Sequence, residues 1–324
     1  MQPQSDLQHY FHTILPEIEA EIQEQLNSLN SLVFPVADHV LGSGGKRLRP
    51  MLCILVAGAM GLRDRSVYSL ASALELVHSA TLLHDDILDN AELRRGKEAS
   101  HLVFGEKQTI LAGDALLARA NRIVSEYGDT RLVECLSEAI YSTATGEILE
   151  IQKMMQTGLS SEEYLEIIKG KTAYLIQSSC ESGAILAGVD SEWQQTAREL
   201  GINLGVAFQL VDDALDYTPS LELGKPMGGD LREGKITLPL LYLLHELEPG
   251  EHDLLMERIK GRFLSEQEME RTMGRIRERQ LHTRARSEAE SYLAAAHQAL
   301  ATFPASEEKK LLSQMLEYIR CREN

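Results

Sequence analysis

The sequence predicts an all-α protein, and three observations carry that prediction. Apolar residues recur at helical spacing along most of the chain, with no strand-like alternation beside them. The nine prolines are few, and those at 16, 35, 50, 219, 226, 239 and 304 fall where helices would start or break. No Ser-, Gly- or Pro-rich linker divides the chain, and no repeat of fixed period is found. The expectation is one domain over residues 1–324, a bundle of roughly a dozen helices.

Taken in order, Leu70, Leu74, Val77, Thr81 and Leu88 lie on overlapping faces of one long helical segment. Similar patterns run through 107–126, 129–155, 160–187, 192–217, 235–247 and 283–320. Two Gly-rich stretches, LGSGGKRLRP (41–50) and LGKPMGGDLREGK (223–235), read as loops, the first opening a helix at Pro50. Residues 249–280 mix both charge signs and suggest short peripheral helices without an interpretable motif.

The composition is that of a globular protein, 44% hydrophobic and 25% charged. With 49 acidic against 32 basic residues the net charge is −17, the wrong sign for holding nucleic-acid phosphates, so no nucleic-acid partner is expected. Cys53, Cys135, Cys180 and Cys321 are scattered and read as reduced thiols of a cytoplasmic protein. The N-terminal residues show no basic segment followed by an apolar run. The longest uncharged apolar run, 51–62, is about half of what spans a bilayer, so no transmembrane segment is expected, while docking on a membrane surface stays open.

Two aspartate clusters dominate the chemistry. Asp85, Asp86 and Asp89 form DDILD; Asp212, Asp213 and Asp216 form DDALD. In each, the first and last Asp are four apart and share a helix face, where like charges repel. One such cluster alone would read as a solvated acidic helix end. Two, each after a long apolar stretch, call for a compensating cation. Hard oxygen ligands suit Mg²⁺, which takes one or two carboxylates plus phosphate oxygens. An acidic chain that binds phosphates through metal still needs local positive charge. Lys46, Arg47 and Arg49 of GGKRLRP, Arg94 and Arg95 one helical turn past DDILD, Lys171 beside Thr172, and Lys225 and Lys235 around GGDLREGK supply it. Together these could bind two diphosphates, one through metals and one directly.

At these residues the chain resembles the trans-isoprenyl diphosphate synthases, long-chain members in particular. GGKRLRP, ELVHSATLLHDDILDNAELRRG, GD at 113–114, KT at 171–172, GVAFQLVDDALDY and GKPMGGDLREGKITLPLL carry the resemblance, in order and spacing, over about residues 40–245. It implies an all-α bundle around a deep cavity (the isoprenoid synthase fold), homodimeric, which condenses isopentenyl diphosphate with an allylic diphosphate of the farnesyl or geranyl type. It further implies three Mg²⁺ per site, two on Asp85 and Asp89 and a third chiefly on Asp212. Arg94, Lys171, Thr172, Gln209, Lys225 and Lys235 match positions that grip the allylic diphosphate. Lys46, Arg49, His78 and Arg95 match the isopentenyl diphosphate site. His84 is assigned to packing.

The implied mechanism is metal-assisted ionisation, attack by the isopentenyl double bond and loss of a proton, with Lys171, Thr172 and Gln209 steadying the cation and leaving group. A short-chain farnesyl or geranylgeranyl diphosphate synthase is the alternative. A class I terpene cyclase is a further rival, but it would need no second diphosphate site, against GGKRLRP and the second Arg of RRG. An inactive partner subunit of a two-chain synthase typically lacks an Asp motif, and this chain retains both. Val77, Ala80 and Thr81, small or medium residues before Asp85, predict an open path for a growing chain, faced by Ala115 and Ala118, with Ile123, Val124 or Tyr127 as its floor.

Overall fold

The computed structural model describes residues 4–154, 158–218 and 227–322. The fold is all-α, as the periodicity predicts, with a single two-stranded hairpin among the described residues. The chain resolves into two compact units, each assembled from separate stretches of sequence.

Unit one comprises Met1–Ile140, Leu175–Arg198 and Thr302–Gln314. It begins with α1 (Gln4–Asn27), α2 (Phe34–Leu41), α3 (Leu48–Ala59) and α4 (Ser66–Leu88). Every residue of α3 from Pro50 to Ala59 is buried, which is what a helix apolar on all sides requires. Helix α4 packs on α1, α2 and α3, and on α5 (Ser100–Phe104) and α6 (Glu106–Ser125). Helix α7 (Thr130–Met154) begins in this unit.

Unit two comprises Tyr141–Tyr174, Glu199–Ala301 and Met315–Asn324. It takes the second half of α7, α8 (Ser161–Ile168), a π turn (Lys169–Ala173) leading into α9 (Tyr174–Leu186), and most of α10 (Ser191–Leu215). It continues with α11 (Gly229–Glu233), α12 (Leu238–His245), α13 (Pro249–Lys260), α14 (Glu266–Glu278) and α15 (Leu281–Thr302), and takes the end of α16 (Glu307–Arg320). The charge-rich stretch 249–280 does form two short helices, α13 and α14. Both α8 and α14 open on capping boxes, Ser160 with Glu163 and Ser265 with Glu268.

Three local readings are corrected. Pro16 lies inside α1 rather than at an end. The helix after GGKRLRP starts at Leu48, so Pro50 sits in its first turn, where a missing N–H costs nothing. Arg94 and Arg95 are not one helical turn beyond DDILD: α4 stops at Leu88, and the pair lies on the hairpin β1 (Leu93–Arg94) and β2 (Lys97–Glu98). Arg95 and Gly96 make its two-residue turn with φ of 53° and 78°, the geometry that matches strand twist. Pro219, Lys225 and Pro226 lie outside the described residues.

Cys53, Cys135 and Cys180 are buried free thiols, and Cys321 is an exposed one. No helix among the described residues is long and apolar enough to cross a membrane.

Candidate active site

In unit one the first aspartate cluster ends α4, with Asp89 as the residue that caps its C-terminus. Three carboxylates at the negative end of a helix dipole are unfavourable twice over, from one another and from the dipole. The structure separates their roles. Asp86 is buried and takes Arg94 Nε at 2.8 Å, with Arg94 Nη2 on the same oxygen, Oδ1. Its Oδ2 is buried without a hydrogen-bond partner. Asp85 and Asp89 are half-buried at the same helix end. His84 packs α4 onto α6: a Cβ on Gly113 would lie 2.3 Å from its Nε2, which meets Ile110 O at 3.1 Å. Gly113 is thus the glycine that this approach requires.

The GGKRLRP loop gathers cations in the same unit. Arg95 Nη1 donates to Gly44 O, and a Cβ on Gly45 would stand 2.9 Å from that nitrogen. Lys46 is exposed, and Arg49 is partly exposed with a buried Nε that has no hydrogen-bond partner. Burial pulls the Arg49 guanidinium down to about 10; Glu75 opposes this and the Arg95 charge adds to it. Burial, then Arg49 and Arg95, push the His78 imidazole well below its ordinary value, which keeps it neutral. Arg47 is different from its neighbours. Its side chain is 1% exposed and bound by Glu19 and Glu75, so it is withdrawn from any ligand.

Unit two holds the second cluster at the C-terminal end of α10. Burial pushes the Asp213 carboxyl up to about 7, against the hydrogen bonds that Tyr164 and Gln209 donate to it. Asp216 accepts the backbone N–H groups of Gly229 and Asp230 at 3.0 and 3.1 Å and so caps α11. Asp212 is half-exposed, with Arg322 Nη1 at 2.9 Å.

A hydrogen-bonded chain then joins two elements of this unit, the π turn and α10. Thr172 Oγ1 donates to Gln209 Oε1 at 2.7 Å, and Gln209 Nε2 donates to Asp213 Oδ1 at 2.6 Å. Lys171 lies beside them on the π turn, paired with Glu147 at 2.9 Å and with Glu150. Burial works against its charge, but Glu150 and Glu147 outweigh it and hold the ammonium above its ordinary value. Lys235 pairs with Glu233 at 2.7 Å. Lys225 lies outside the described residues.

Sequence reading missed several participants. Glu19 and Glu75 fix Arg47; Glu147 and Glu150 fix Lys171; Tyr164 holds Asp213. Asp230, raised well above its ordinary value by burial and then by Asp213 and Asp216, adds a fourth carboxylate to the second cluster. Only its place within GGDLREGK hinted at it.

These donors fit Mg²⁺. Among the described residues no three carboxylate, imidazole or thiol groups form a ready-made metal cage. Asp85, Asp89 and Asp212 are instead one-carboxylate donors of the kind that holds Mg²⁺ together with phosphate oxygens. The crowded carboxylates and the unpartnered Arg49 Nε have matching needs, a cation and an anion.

Comparison with known proteins gives one answer. The family model for Polyprenyl synthetase matches residues 30–276. Octaprenyl diphosphate synthase of Escherichia coli is 38% identical over 257 residues, 78% of this chain and 80% of that protein. Heptaprenyl diphosphate synthase component 2 of Bacillus subtilis is 33% identical over 306 residues, 93% and 86% of the two chains. Among solved structures, polyprenyl synthase from Caulobacter crescentus, complexed with calcium and isoprenyl diphosphate, superposes with a TM-score of 0.90 at 37% identity, covering 98% and 97% of the two chains.

Proposed function

The chain belongs to the polyprenyl synthetase family and is a prenyltransferase with the isoprenoid synthase fold, and from that premise we propose that it lengthens an allylic diphosphate with isopentenyl diphosphate units to a long trans-polyprenyl diphosphate. The observation that carries the reading is likeness over most of the chain to synthases named for octaprenyl and heptaprenyl products, with both aspartate clusters kept.

Asp85 and Asp89 would hold two Mg²⁺ ions and Asp212 a third. Bound there, the ions supply Lewis-acid stabilisation of a departing diphosphate. Arg94, Lys171, Thr172, Gln209, Lys225 and Lys235 hold the allylic diphosphate, and the Thr172 and Gln209 oxygens face the developing allylic cation with their dipoles. Lys46, Arg49 and Arg95 hold isopentenyl diphosphate as cations, while the neutral His78 adds a hydrogen bond. The allylic C–O bond breaks with its electron pair on the diphosphate. The isopentenyl double bond supplies the electrons of the new C–C bond, and a proton passes to the departing diphosphate. No nucleophilic side chain is needed.

The reading extends to the whole chain as one polyprenyl synthetase domain over residues 1–324, to a homodimer, and to a reducing, cytoplasmic setting supported by the four free thiols. Release of a long apolar product would favour a peripheral membrane contact. The test is incubation with farnesyl and isopentenyl diphosphates plus Mg²⁺, with products separated by length. Long products, of the class for which the octaprenyl and heptaprenyl relatives are named, are expected. No condensation, or products that stop at twenty carbons, would reject the long-chain reading.

A further inference from the structure

Arg47 is the residue of the GGKRLRP loop whose burial makes least sense for a surface cation. It adopts a left-handed conformation, φ 44° and ψ 41°, immediately before α3, which is strained for a residue that carries a Cβ. Its side chain is 1% exposed, and that of Glu75 is 3% exposed. All three of its nitrogens are used. Nε donates to Glu19 Oε1 at 2.7 Å and Nη1 to Glu75 Oε1 at 2.9 Å. Nη2 donates to Glu19 Oε2 at 3.1 Å and to Leu41 O at 2.7 Å. One side chain therefore ties the loop to α1, to α4 and to the end of α2.

A buried ion network is a poor source of stability, because desolvation offsets the attraction and apolar residues of like volume do as well. Strain and burial together point to position as the gain. The residues on either side of Arg47 are the ones that matter: Lys46 precedes it, and Arg49 stands two residues later in the first turn of α3. The same loop is gripped on its other flank, where the Arg95 guanidinium lies on Gly44 and Gly45.

We infer that Arg47 is a positioning residue of the isopentenyl diphosphate site: locked by Glu19 and Glu75, it fixes the backbone from which Lys46 and Arg49 reach the diphosphate, without touching substrate itself. This rests on the substrate assignment under Proposed function.

The test is Arg47→Lys, which keeps the charge and loses the fork, measured in the full-length protein with both KM values. The KM for isopentenyl diphosphate should rise about tenfold, as a displaced binding group implies. The KM for farnesyl diphosphate should stay within about twofold. In a Lys46→Ala background the same substitution should raise the isopentenyl KM by less than about threefold, because residues acting as one unit are not additive. Equal rises in both KM values, or full additivity with Lys46→Ala, overturns the inference while leaving the enzyme reading intact. If Arg47→Lys does not fold, Glu19→Gln decides, since that carboxylate is 41% exposed: a selective rise supports the inference and unchanged constants overturn it. An unaltered protein that neither binds isopentenyl diphosphate nor condenses it overturns the underlying reading, and the inference with it.

Discussion

Gly146 and Gly170 meet backbone to backbone: a Cβ on Gly170 would lie 2.5 Å from the Cα of Gly146. Gly205 does the same on α10, where a Cβ would lie 2.5 Å from Ala173 Cα. The π turn is therefore held close to α7 by one glycine and to α10 by another. That closeness is what lets Glu147 and Glu150 reach Lys171 and Gln209 reach Thr172. π turns inside helices recur at functional sites because they re-aim side chains that a regular helix would turn away.

Gly170→Ala should lower stability by about 1–3 kcal/mol through overpacking and should weaken allylic substrate binding by moving Lys171 and Thr172. Thermal unfolding and the KM for farnesyl diphosphate check it. Unchanged melting would show that the two backbones can part without cost.

Purified protein should lose activity in excess EDTA and regain it with Mg²⁺. Asp85→Ala or Asp212→Ala should lower turnover by orders of magnitude with helical circular dichroism intact, because each removes a like charge from the negative end of a helix. Full activity in a verified metal-free sample would sink the mechanism.

The basic residues should divide by substrate. Lys46→Ala and Arg95→Ala should mainly raise the KM for isopentenyl diphosphate, and Lys225→Ala that for the allylic substrate. A charge-assisted hydrogen bond is worth about 1.5–3 kcal/mol, so each effect should be tenfold or more. Both KM values for each variant settle the division, and equal effects on the two substrates contradict separate sites.

Ala80→Phe probes product length. Val77 and Ala80 are fully buried on α4, so a ring at Ala80 must take space from packed neighbours or from the path of the growing chain. Products of fifteen or twenty carbons from a folded variant would support a ruler on this helix. An unchanged distribution in an active variant removes it.

The legible part of this protein was its periodic and repulsive part. Helical spacing gave the all-α fold because a buried helix must repeat its apolar face, whatever its partners. Two aspartate clusters stood out because carboxylates crowded in apolar helices are unfavourable without a cation, a conflict visible before any folding. What each aspartate does was not legible. Asp86, Asp212, Asp213 and Asp216 look alike in sequence, yet Arg94 engages the buried Asp86, Tyr164 the buried Asp213, the N–H groups of α11 Asp216 and Arg322 the half-exposed Asp212. Arg47 likewise reads as one more loop cation until Glu19 and Glu75, distant in sequence, are brought against it. Spacing along one element is local and survives in the sequence. Which charged side chain is withdrawn from solvent depends on partners from other elements, and only tertiary packing brings those partners within hydrogen-bonding distance.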